Sequence, residues 1–318
     1  MRAVFNADRM TGMKEPKRIK SVVADLDNTL INHFGDISSN NSAILRQLNA
    51  SDVVIGLATG RNAQDVARQL DFWHLGHAVS FIIGSNGCDY LNLRNRKLVK
   101  RLYLNYSDLE QFDQEFDRER FSWGVRVGNR FYLNKITFWS LIYCAAMKLK
   151  PVTGEFEKLK KEKFSRIVIL GAPGQLKKLF STWNLKDFKA MPIGKYTIEV
   201  VHPLISKYEG LNQAMDDFDL KPEEVMTFGD DYNDIELLRR TEGIAMKNAV
   251  GPLAEVSRGT TKYSGAQDGV AYHLNAALIG TDYVFGPEGQ EPQDQEDRKD
   301  FEPAGSEMRK PETSDADD

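Results

Sequence analysis

The feature that most limits what this chain can fold into is a repeated unit. A short apolar run stops at small or acidic residues, and a stretch with apolar residues at helical spacing follows. Ser21–Leu26, Asp52–Ala58, Phe81–Gly84, Val225–Gly229 and Gly243–Met246 are such runs. Asn40–Asn49, Asn62–Leu70, Lys207–Phe218 and Asp234–Arg240 are the helix-like stretches among them. Runs that are apolar along their whole length read as strands buried on both faces, the pattern of a parallel sheet covered by helices. Their alternation with helices predicts an α/β fold built on a doubly wound, mostly parallel, Rossmann-like sheet.

Between Asp89 and Ile193 the rhythm breaks. Polar and aromatic residues alternate over Trp123–Leu133, and a β-rich run lies at Arg166–Leu170. This predicts an α+β domain at 89–193 inserted into a core made of residues 20–88 and 194–284. A chain of 318 residues has room for two such units. Residues 1–19 read as a flexible leader, and residues 285–318, rich in Glu, Asp, Pro, Gly and Ser, as an acidic disordered tail.

Composition narrows the partners. A net charge of −4 and a pI near 5.9 offer no excess of cations for a polyanion, so no nucleic acid partner is expected. Phe138–Met147 is the nearest approach to a membrane span and falls far short of the roughly 20 apolar residues required. No membrane partner is expected. Cys88 and Cys144 are too few for a disulfide framework, which suits a reducing, cytoplasmic location.

The chemistry gathers where the strands end, the place where open α/β sheets bind ligands. Ser21–Ala24 runs into Asp25-Leu26-Asp27-Asn28-Thr29, and residues two apart on an extended backbone project to one face. Two close carboxylates repel unless a hard cation such as Mg²⁺ lies between them. A lone Asp-x-Asp is equally well a turn cap. A second strand, however, ends in Gly229-Asp230-Asp231-Tyr232-Asn233-Asp234, and two such ends favour a metal-centred site. Thr59-Gly60-Arg61 adds a hydroxyl and backbone N–H groups that suit phosphoryl oxygens, and Lys207 adds a positive charge at a helix start.

With these residues in place the chain resembles the haloacid dehalogenase-like hydrolases. Their four motifs are matched in order by Asp25-Leu26-Asp27-Asn28-Thr29, Thr59, Lys207 and Gly229–Asp234. Gly84-Ser85-Asn86-Gly87, Gly243–Ala249 and Gln267–Ala271 are similar to the Cof-type, or sugar-phosphatase-like, branch with a large inserted cap. Asn28 stands where that branch usually has glycine, and asparagine is the next most tolerant residue for such a turn.

The resemblance implies a magnesium-dependent phosphatase. Asp25 would be the nucleophile and Asp27 the acid and base, with Mg²⁺ held by Asp25, Asp230 and the backbone carbonyl of Asp27. Thr59, Gly60, Lys207 and Asn233 would bind phosphate, and Asp234, Arg61 and Asn86 would support them. The implied substrate is a small phosphorylated metabolite, a sugar phosphate first. A phosphotransferase or phosphomutase on the same core, or a phospho-accepting switch, is the alternative. Cap residues Trp123, Arg126, Arg130, Tyr132 and Lys135 could touch the substrate, although a half-buried sheet explains their alternation equally well. The oligomeric state is left open by these motifs.

Overall fold

A computed structural model describes residues 19–32, 35–116, 120–183 and 187–280. The expected tail and all of the expected leader but Ile19 lie outside these residues.

The chain opens with β1 (Ser21–Ala24), α1 (Ser39–Ala50), β2 (Val54–Ala58), α2 (Ala63–Ala67), β3 (Val79–Gly84), β4 (Asp89–Asn92) and β5 (Lys97–Lys100). A second set follows: α3 (Tyr106–Glu115), β6 (Ser122–Val127), β7 (Arg130–Leu133), α4 (Phe138–Ala146), β8 (Lys150–Thr153), β9 (Ile167–Leu170), α5 (Pro173–Thr182), β10 (Lys189–Ile193) and β11 (Thr197–Val201). The chain then returns through α6 (Lys207–Phe218), β12 (Val225–Gly229), α7 (Ile235–Arg240), β13 (Glu242–Ala245) and β14 (Gly259–Thr260).

The larger sheet has the order β14-β13-β12-β1-β2-β3-β4-β5. Its strands from β14 to β3 pair in parallel, and β4 and β5 extend it as an antiparallel edge. This is the mostly parallel α/β sheet that the alternation predicts. β1, β2, β3 and β12 are buried at every residue, with Val22, Leu57, Ile82 and Phe228 at zero exposure. One apolar cluster packs α1 against the sheet, and another packs α6 and α7. Gly56 belongs to this packing, since a Cβ there would lie 2.3 Å from the Phe81 ring.

The smaller sheet has the order β10-β11-β9-β6-β7-β8. Period-two alternation divides its faces. Ile167 and Ile169 of β9 join Leu109 and Phe112 of α3 and Leu176 of α5 on one face. Val168 and Leu170 join Phe131, Leu133 and Cys144 of α4 on the other.

Strand pairing distributes the chain between the sheets differently from the expected division at 89 and 194. Residues 89–100 form a hairpin on the edge of the larger sheet, and Thr197–Val201 belongs to the smaller one. The hairpin is hard to read because β5, Lys97-Leu98-Val99-Lys100, is half exposed and lacks the continuous apolar signature of the inner strands.

Candidate active site

Parallel pairing sets the C-terminal ends of β12, β1, β2 and β3 side by side. Asp230, Asp25, Thr59 and Asn86 follow those ends in the chain. Lys207 starts α6, which Ser206 caps by accepting from the Glu209 N–H at 3.1 Å. The chain thus returns from the smaller sheet directly into the site.

Lys207 has zero exposure, and its ammonium donates to Asp25 Oδ1 at 2.6 Å and to Asp234 Oδ1 at 2.7 Å. Asp234, equally buried, also accepts from the backbone N–H groups of Asp230 and Asp231 at 3.2 and 3.3 Å. Gly229 is required beside it, because a Cβ there would lie 2.4 Å from Asp234 Cγ. Thr29 donates to Asp230 Oδ1 at 3.1 Å.

Oxygens of Asp25, Asp230 and Asp234 lie within 4.8 Å of one another. Two of these three buried carboxylates, Asp25 and Asp234, share the one ammonium, and Asp230 lies beside them without a bond to it. Burial pushes Asp25 well above the usual carboxylate range, with Lys207 opposing the rise and Asp234 and Asp230 adding to it. Burial, and then Asp234, push Asp230 up to about 7. Burial alone would lower Lys207, but Asp234 and Asp25 outweigh it and raise the ammonium above its ordinary value. A buried, all-oxygen, under-compensated set of this kind fits a hard divalent cation.

Asp27 departs from the expected common face. Its side chain is 54% exposed, and it accepts from Arg61 Nε at 3.0 Å and from the same guanidinium through Nη2. The extended strand stops at Ala24, and the backbone N–H groups of Leu30 and Ile31 fold back onto Leu26 O, so the period-two projection no longer applies at Asp27. The Asp27 carboxylate is absent from the buried acidic cluster found among the described residues.

The turn after Asp27 is pinned from the far end of the chain. Asn28 has φ 58°, a left-handed conformation that asparagine tolerates. Its carbonyl accepts from Asn248 Nδ2 at 3.0 Å, and Asn248 Oδ1 accepts from Gly265 N at 2.9 Å. A Cβ on Gly265 would lie 2.2 Å from Asn28 O.

Thr59 is fully buried, and its hydroxyl oxygen accepts from Arg61 N at 3.1 Å. Asn86 is also buried, with φ 58°, and it links elements around the strand ends. It donates to Glu199 Oε2 at 3.0 Å and accepts from Asn233 Nδ2 at 2.9 Å. Trp123 and Tyr132 pack inside the smaller sheet's core at 1% and 7% exposure, as a half-buried sheet requires. Arg126 reaches Gly128 O and approaches Asp65 at 3.7 Å.

Sequence reasoning passed over Glu199 and Arg166. A carboxylate inside the apolar strand Thr197-Ile198-Glu199-Val200-Val201 was a usable signal, since buried acids need partners. Asp89, buried and accepting from Tyr103, Ser85 and Asn62, was missed as well.

A strand-end acidic cluster with a buried lysine, faced by a sheet inserted ahead of that lysine, defines a class of hydrolase cores. The model of the haloacid dehalogenase-like hydrolase family matches residues 22–274, and the chain belongs to that family, in its Cof-type branch. A Bacillus subtilis (strain 168) protein named 5-amino-6-(5-phospho-D-ribitylamino)uracil phosphatase YwtE is 24% identical over 300 residues, covering 82% of this chain and 99% of its own. The structure of BT1666 from Bacteroides thetaiotaomicron, described as a phosphatase of the same superfamily, aligns with a TM-score of 0.70 at 22% identity, covering 84% of this chain and 98% of that one. The subclass IIB sugar phosphatase BT4131 aligns with a TM-score of 0.68 at 17% identity, over 81% and 98% of the two chains. Among the described residues no helix is long and apolar enough to cross a membrane.

Proposed function

We propose that the chain is a magnesium-dependent phosphatase that hydrolyses a small phosphorylated metabolite through an aspartyl-phosphate on Asp25. The observation that carries this is the bridge from Lys207 to Asp25 and Asp234, with Asp230 alongside. Such a bridge fixes a nucleophilic carboxylate and places positive charge where an anionic phosphate must approach.

Asp25 would attack phosphorus while Asp27 gives a proton to the departing oxygen. Asp27 would then take a proton from the water that cleaves the phosphorylated Asp25. Thr59, the Gly60 backbone and Lys207 would hold the transferring oxygens, and Asn233 would support them. Asp25, Asp230 and the Asp27 carbonyl would hold Mg²⁺, which supplies charge neutralisation between the two anions when bound. The smaller sheet would serve as a cap that excludes water and meets the leaving group.

A phosphorylated sugar or polyol is the substrate class we favour, because the relative YwtE is named for a phosphoribityl substrate. Inorganic phosphate release from a panel of phosphorylated metabolites, measured with and without magnesium and with added sugar acceptors, tests this reading. Magnesium-dependent release that acceptors leave unchanged supports it. Transfer to the sugar without phosphate release would make the chain a phosphotransferase instead.

A further inference from the structure

The two sheets meet through a short series of side chains that the proposed reaction does not use. Arg166, just ahead of β9, donates from one guanidinium nitrogen to Gly60 O at 2.9 Å and to Glu199 Oε2 at 3.1 Å. Glu199 Oε2 also takes the Asn86 bond described above, and Asn86 N donates to Thr59 O at 3.0 Å. The pair is largely enclosed, with side-chain exposures of 20% for Arg166 and 10% for Glu199. A charge pair at an interface between two sheets is costly to desolvate, and each partner here is completed by a further hydrogen bond to the larger sheet's loops.

The target of Arg166 is what gives the pair a consequence. Gly60 separates Thr59, whose hydroxyl oxygen accepts from Arg61 N, from Arg61, which grips the Asp27 carboxylate in two places. The turn is braced on its other side by Ser85 N, which donates to Arg61 O at 2.7 Å. The inserted sheet therefore holds the carbonyl at the middle of a three-residue turn whose ends handle phosphate and the acid. A small side-chain displacement at such a site is expensive, on the order of a hundredfold in rate per ångström.

We infer that Arg166 is a positioning residue of the reaction: through Gly60 it sets the Thr59–Arg61 turn, and through Arg61 it sets Asp27 for proton transfer. This rests on the phosphatase reading above. In the step concerned, the P–O bond to the leaving group breaks as Asp25 bonds to phosphorus, and the proton of Asp27 goes to the departing oxygen. The sheet that would enclose the substrate thus also contacts, through Arg166, the turn that holds the acid's partner Arg61.

Two aryl phosphates of similar shape separate this role from a merely structural one. p-Nitrophenolate leaves without a proton, whereas phenolate is a much stronger base and needs one. Arg166→Ala should lower kcat/KM for phenyl phosphate about tenfold more than for p-nitrophenyl phosphate, since acid assistance is worth about 10²–10⁴ in rate. Arg166→Lys, which keeps a donor and a charge, should recover most of the difference. Equal losses on both substrates, or none, would overturn the inference. Amide hydrogen exchange over residues 59–62 gives a second readout that needs no turnover. Exchange should rise in Arg166→Ala with the β1 and β2 amides unchanged, and an unaltered turn would equally overturn it. Absence of wild-type activity on both esters would count against the phosphatase reading, while the exchange result still decides on Arg166.

Discussion

Lys207 and Asp25 meet at 2.6 Å in the interior although 182 residues separate them in the chain. The lysine is spent on holding two carboxylates, and this makes it structural and chemical at once. Lys207→Met should leave Asp25 and Asp234 without the ammonium they share, with Asp230 alongside. We expect a loss of about 3–5 kcal/mol in unfolding free energy, the usual cost of removing one partner of a buried charge pair. Urea denaturation of the metal-free protein measures it, and a midpoint near that of the wild type would contradict the arrangement.

Asp25→Asn should abolish p-nitrophenyl phosphate hydrolysis, by about a thousandfold or more, as loss of a nucleophile does elsewhere. The fold should persist by circular dichroism, because the neutral amide also removes repulsion from Asp230 and Asp234. Retained activity would show that another residue attacks phosphorus.

Magnesium should stabilise the protein as well as activate it. A cation that binds the folded site alone adds about 2.7 kcal/mol at a hundredfold excess over its Kd. Thermal unfolding should therefore shift upward with magnesium in the wild type and much less in Asp230→Asn. A chelator should remove activity without changing the circular dichroism spectrum.

His273 provides a pH dependence away from the site. It packs edge-on against Phe228 with ring centroids 5.5 Å apart, and burial holds its pKa below the ordinary value of 6.5. The folded state thus binds fewer protons than the unfolded state just below that value. Stability should fall as pH drops through 6.5 and level off once both states are protonated. His273→Gln should flatten this part of the profile in urea titrations from pH 7.5 to about 5, and an unchanged slope would assign the dependence to other groups.

Much of this could be read from the chain because the informative strands are buried on both faces. β12 and α6 have the bounds that apolar patterning gives them, Val225–Gly229 and Lys207–Phe218. Lys207, Asp25, Asp230 and Asp234 come together as two acidic strand ends and a helix-start lysine suggested. Asp27 does not, since its direction depends on a turn that begins one residue after the strand. Glu199 and Arg166 escaped notice because a partnership across two sheets leaves no spacing in the sequence. The β4–β5 hairpin escaped because its outer strand is half solvated.

The 182-residue separation between Asp25 and Lys207 also orders events during synthesis. β1 leaves the ribosome long before its neighbour β12 exists, so the strand that carries Asp25 must wait with one edge unpaired. The smaller sheet, encoded wholly between them, can close on itself in the interval. Domains tend to fold as units while the chain is being made, and long-range parallel pairing is slow. The strand that carries Asp25 would thus gain its β12 neighbour, and the acidic cluster its Asp230, only after the smaller sheet is complete.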